Sequence, residues 1–270
     1  MVNAVPAASG LPDAAQELAA AVASALAGGD GRPEAWNASG ADPLTVAAVR
    51  VLGADVLAPA TLSGRPAVVD TATAERACAD HPPRPGASAT TRWSHWGLRE
   101  ALRRLPAAHG PPGPGTTGTP TGRAGPVAGN PATAGPAGPS VHPGPAGPGA
   151  PASPASGQPD ADWVAREPWQ RMTHHLAHLA SLAVPGIDSA LRTAVAARPV
   201  DLARGFVRAV RRRDWLQAAG AGRWLALTPG VPSSVGLGAG LDFVEHMAAE
   251  DARVVLQTRA ARLLLTGEPA

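Results

Sequence analysis

The chain has no lysine and no tyrosine, a single cysteine and only two phenylalanines among its 270 residues. Each absence narrows the chemistry. Without lysine it cannot form a Schiff base or supply the phosphate-binding lysine of a Walker A loop, and without tyrosine it has no phenol for proton transfer or covalent attack. The lone Cys78 excludes an internal disulfide framework and any cysteine-rich zinc knuckle, and suits a reducing compartment. Aromatic residues make up 3% of the chain against 44% hydrophobic overall, so much of the apolar content is alanine. Thin, helical cores are expected, because the rings that dominate core burial are scarce.

Charge is close to balance, at +2, and all 23 cations are arginine. The high pI of 9.8 records that guanidinium groups stay protonated, so a nucleic-acid argument has to come from local patches. The joint excess of alanine, glycine, proline and arginine is the signature of a GC-rich genome. The first cation is Arg32, which leaves the N-terminal segment without the charged region of a secretory signal. No uninterrupted apolar run reaches the roughly 20 residues of a membrane span. A soluble cytoplasmic protein with no membrane partner is expected.

Composition breaks at 106–160, where 28 of 55 residues are proline or glycine and neither leucine, isoleucine nor phenylalanine occurs. Such a stretch buries too little apolar surface to offset its ordering entropy and reads as a disordered linker. The expected architecture is mainly all-α: a helical domain over 1–105, the linker over 106–160, and a helical bundle over 161–270.

In the first part, helices are predicted from Asp13 to Gly28, from Asp42 through "DPLTVAAVRVLGADVLAP", over "TATAERACAD", and from Ser94 to Pro106. The "AVVD" at 67–70 reads as a short strand or a turn. In the second part the pattern predicts helices at 162–184, 187–198, 199–212, 214–227, 240–249 and 251–265. A long loop is expected at 228–240, with "GLGAG" making it flexible.

The densest reactive cluster is "RMTHHLAHLASLAVPG". At about 100° per residue, Met172, Leu176, Leu179 and Ala183 form the apolar face, His175 falls at its edge, and His174 and His178 point outward. The last two have the i, i+4 spacing by which two imidazoles on one helix share a metal. A divalent metal would need further ligands, and Glu245, His246 and Glu250 in "DFVEHMAAED" are the candidates, in a metal-dependent helical enzyme. No HExxH motif is present, so ordinary surface histidines, and no cofactor, are the expectation.

Two basic faces are candidate nucleic-acid or partner-binding surfaces. Helix 199–212 sets Arg204, Arg208, Arg211 and Arg212 opposite Leu202, Phe206 and Val210. The helix from Ser94 is predicted to bury Leu98, Ala101, Leu102 and Leu105, leaving Trp96 exposed beside Arg99 and Arg103. A solvated cationic face is the alternative for both. "GLGAG" lacks the GxGxxG spacing of a dinucleotide loop, Ser233 and Ser234 lack a GxSxG elbow, and Cys78 reads as a small core residue. No catalytic residue is nominated. The expectation is a non-catalytic adaptor or regulatory protein whose partner is another protein, with nucleic acid as the alternative partner.

Overall fold

A computed structural model describes residues 10–29, 42–105 and 157–267. Of these, 73% are helical, and among the described residues no strand forms. The stretch 106–156, most of the expected linker, lies outside them.

Helix α1 (Leu11–Leu26) buries the stripe of Leu18, Val22 and Leu26; Gly10 rather than Asp13 precedes it, with Pro12 in its first turn. Helix α2 (Pro43–Leu52) is capped as its sequence predicts: Asp42 Oδ1 accepts from the amides of Leu44 and Thr45 at 2.7 and 2.9 Å. It stops earlier than predicted because Gly53 takes φ +61°, a left-handed conformation that disfavours a side chain. A 3-10 turn, Gly53–Leu57, and the short α3 (Ala58–Ser63) follow. Taken together, Pro43–Ser63 is long and apolar enough to cross a membrane by length and composition, yet 67% of its most apolar window is buried inside the protein.

Val68 and Val69 bury their side chains without forming a strand, and Asp70 then caps α4 (Thr71–Asp80), accepting from Thr73 N at 2.6 Å. Helix α5 (Ala89–Arg104) begins five residues before Ser94, since Ser88 Oγ accepts from Thr91 N at 3.1 Å and supplies an earlier cap.

The helix expected over 162–184 is divided. Glu167, held extended by the following Pro168, separates α6 (Trp163–Arg166) from α7 (Trp169–His178), and a 3-10 turn covers Ala180–Leu182. Helix α8 (Ala190–Ala196) starts at the Ser189 cap, short of the span predicted for it. Helices α9 (Pro199–Arg211), α10 (Trp215–Leu227, capped by Asp214) and α12 (Ala252–Thr266, capped by Asp251) follow the sequence pattern. Helix α11 (Leu237–Met247) takes in the glycines expected to loosen the 228–240 loop. Gly240 is needed there for space: a Cβ would sit 2.9 Å from Phe206 Cζ.

Helix α10 is the hub. Every residue from Ala218 to Leu225 is buried, and the helix packs against α7, α9, α11 and α12. Its small residues permit this: a Cβ on Gly220 would lie 2.7 Å from Ala177 O, so α7 and α10 meet backbone to backbone. The two flanks of the proline-rich stretch also share a core. Leu256 and Ala260 of α12 pack among the residues of α1 and α2, and Trp93 of α5 packs with α7 and α9, its Nε1 donating to Asp160 O at 3.0 Å. The described residues on both sides of 106–156 accordingly belong to one compact unit.

Candidate functional site

The histidines of α7 sit where their angular positions predict: His174 and His178 are exposed and His175 is half-buried. His175 Nδ1 lies 3.1 Å from Glu167 Oε2, its ring edge-on to Trp163. The His174 and His178 rings stand 4.7 Å apart at 85°, and His174 Nδ1 is 3.2 Å from Gln217 Oε1. One edge of His178 is open, but crowding by its neighbours, and then its closeness to His174, Arg253 and His175, hold its pKa below the ordinary 6.5; Asp214 partly offsets them.

The metal set considered from spacing does not assemble. Among the described residues no three His, Cys, Asp or Glu side chains gather into a ligand group. Glu245 is engaged elsewhere, pairing with Arg262 Nη1 at 2.7 Å and accepting from Thr258 Oγ1 at 2.7 Å, while His246 is exposed.

The basic face on α5 also differs from expectation. Trp96 is half-buried against the core and meets Trp93 edge-to-face at 5.1 Å, because the earlier start of α5 gives both tryptophans a place in the packing. It is therefore no open stacking platform. Arg99 and Arg103 do line one shallow groove of about 540 Å³, together with Glu75, Cys78 and His95. Glu100, buried at 5% exposure on the same helix, pairs with both Arg103 and Arg104. Burial pushes the Cys78 thiol up, which keeps it protonated and unreactive.

On α9 the arginines come together with apolar surface. Arg204, Arg208, Arg211 and Arg212 edge a groove of about 740 Å³ whose floor is made by Trp169, Val200, Ala203, Val207 and Val235. Val200 and Val207 are 47% and 38% exposed. Arg208 lies over the Trp169 ring at 5.9 Å, a cation–π contact that holds the guanidinium at the rim. Among the described residues no acidic side chain lines the groove; Asp201, the carboxylate on α9, is taken by Arg198 at 2.6 Å and Arg204 at 3.4 Å. Val200 and Val207 escape a simple amphipathic reading because they sit between the arginines on the outward side.

A second feature was not read from the sequence. Asp55, Arg223 and Gln257, from three distant segments, form a buried polar cluster. Arg223 Nη1 donates to Asp55 and to Gln257 Oε1 at 2.9 Å, Gln257 Nε2 donates to Asp55 Oδ2 at 2.5 Å, and Arg223 Nε donates to Ala183 O at 3.2 Å. The cluster forms part of the wall of a cavity of about 310 Å³ that opens beside His174 and His178.

No protein-family model, curated protein or solved structure matches the chain.

Proposed function

We propose that the protein is a non-catalytic adaptor that docks an acidic amphipathic helix of another protein in the groove on α9. The observation that carries this reading is the joining of the exposed Val200 and Val207, beside the half-buried Trp169, to a rim of four arginines with, among the described residues, no carboxylate between them. A helix with apolar residues at i, i+3 or i+4, and i+7 places one face on the floor and carboxylates beside the rim. Covering each valine contributes on the order of 1 kcal/mol. Rim ion pairs add about 0.2–1 kcal/mol each and mainly set orientation and association rate. A phosphate backbone would draw on the arginines alone and leave the apolar floor unused, which is why a protein partner is favoured over nucleic acid.

The test is an anisotropy titration of the full chain with three fluorescein-labelled probes. These are a helix-forming peptide with leucines spaced along one face and glutamates on the flanks, a scrambled peptide of the same composition, and a single-stranded DNA of equal charge. The amphipathic peptide should bind most tightly, with the scrambled one weaker. Equal or tighter binding of the DNA would overturn the reading in favour of a nucleic-acid binder.

A further inference from the structure

We propose that the cavity between α7, α10 and α12 is a binding site for a small organic carboxylate with a compact apolar body. Its volume, about 310 Å³, lies at the lower end of the roughly 300–1,000 Å³ range of small-molecule sites. The wall divides chemically. Leu52, Leu216, Leu256 and Ala177 supply an apolar side, whereas Arg253, His178, Ser94 and Ser181 supply hydrogen-bonding groups.

Two observations select an anionic head group. The Arg253 guanidinium is half-buried at the cavity and, among the described residues, has no carboxylate partner; only its backbone amide is engaged, by Asp251. Ser181, 7% exposed, lines the cavity beside Gly53, where a Cβ would come within 3.6 Å of its Oγ and within 3.3 Å of Ser94 Oγ. Ser94 Oγ already accepts from Arg50 at 3.0 Å, so its proton is free to donate toward a ligand. The carboxylates present are both committed: Asp55 to Arg223 and Gln257, and Asp214 to the cap of α10.

The charged and titratable groups facing His178 are His174 and His175 on α7, Arg253 on α12 and Asp214 at the start of α10. A bound carboxylate adds a negative charge to this set and raises the imidazole pKa. Binding then takes up a proton, and affinity rises as pH falls through the histidine range.

The experiment is calorimetric titration of the full chain with phenylacetate and, as the size-matched cation, phenethylamine. Two variants accompany it: Arg253→Gln, and Val51→Trp, which fills the mouth from a position that is 47% exposed and so spares the fold. Phenylacetate should bind and phenethylamine should not. Arg253→Gln should weaken phenylacetate roughly tenfold, Val51→Trp should abolish binding, and the His178 imidazole resonance should shift upward in pKa on saturation. The proposal is overturned if phenylacetate shows no binding at millimolar concentration, if the amine binds as well, or if neither variant changes the affinity.

Discussion

The guanidinium of Arg223 donates to the carboxylate of Asp55, 168 positions earlier in the chain, with both side chains buried. This pair ties α10 to the turn after α2, so the segments on either side of the proline-rich stretch share one interior. Leu105 and Gly157, the described residues that flank 106–156, therefore belong to the same unit.

Removing one partner leaves a buried charge without compensation. Arg223→Met should destabilise the fold by about 3–5 kcal/mol. Asp55→Leu combined with Arg223→Met should recover most of that loss, because Gln257 borders the cavity and can turn its amide toward water. Urea unfolding of the single and double variants reads this directly. Additive losses in the double variant would show that the pair is not coupled.

Gly220 tests the backbone contact between α7 and α10. Helix propensity alone predicts that Gly220→Ala stabilises α10 by about 1 kcal/mol. The new Cβ would meet Ala177 O at 2.7 Å and Ala177 Cα at 2.9 Å, both backbone atoms that cannot turn aside. A net loss of about 1–3 kcal/mol is expected. Gly238→Ala, on α11 and with no atom within 4 Å of the new Cβ, should be neutral or slightly stabilising in the same thermal melts.

Two histidines make the fold acid-sensitive. His95 is lowered by burial and by Arg50 and Arg99, and His178 by crowding and its cationic neighbours, both from an ordinary value of 6.5. In the unfolded chain these rings take up protons near 6.5 that the folded protein resists. Their contribution is fully present above that value and is lost as pH falls through it. The melting temperature should drop between about pH 7.5 and about pH 5.5, and His95→Gln and His178→Gln should each flatten the slope. An unchanged slope in both variants would place the acid sensitivity elsewhere.

The fold was partly legible, and the reason is local. Asp42, Asp214, Asp251 and Pro199 announce helix starts because caps act within a few residues. Pro168 carried the signal for the break in the 162–184 helix, as Gly53 did for the end of α2. What sequence spacing missed was long-range. Trp96 turns inward because Trp93 and the earlier start of α5 give it a seat in the core. Asp55 and Arg223 each stand as the lone charge in an apolar helical run, a pattern that hints at a buried partner without naming it. The arginines of α9 were visible from their helical phase, whereas the apolar floor beneath them needed Trp169 and Val235 from other segments.

The contribution of that floor can be isolated. Val207→Ser removes an exposed apolar contact while leaving all four arginines in place. Binding of the acidic amphipathic peptide should weaken roughly fivefold, about 1 kcal/mol, with no change in melting temperature. Unaltered affinity would mean that charge alone holds the peptide.

Charge exchange at the groove rim tests docking on α9 most directly. Arg208→Glu with Arg211→Glu should abolish binding of the glutamate-flanked peptide, and replacing that peptide's glutamates by arginines should restore binding to the doubly substituted chain. If the original peptide binds the substituted protein undiminished, or the exchanged peptide fails to bind it while its melting temperature is intact, the groove on α9 is not where the partner docks.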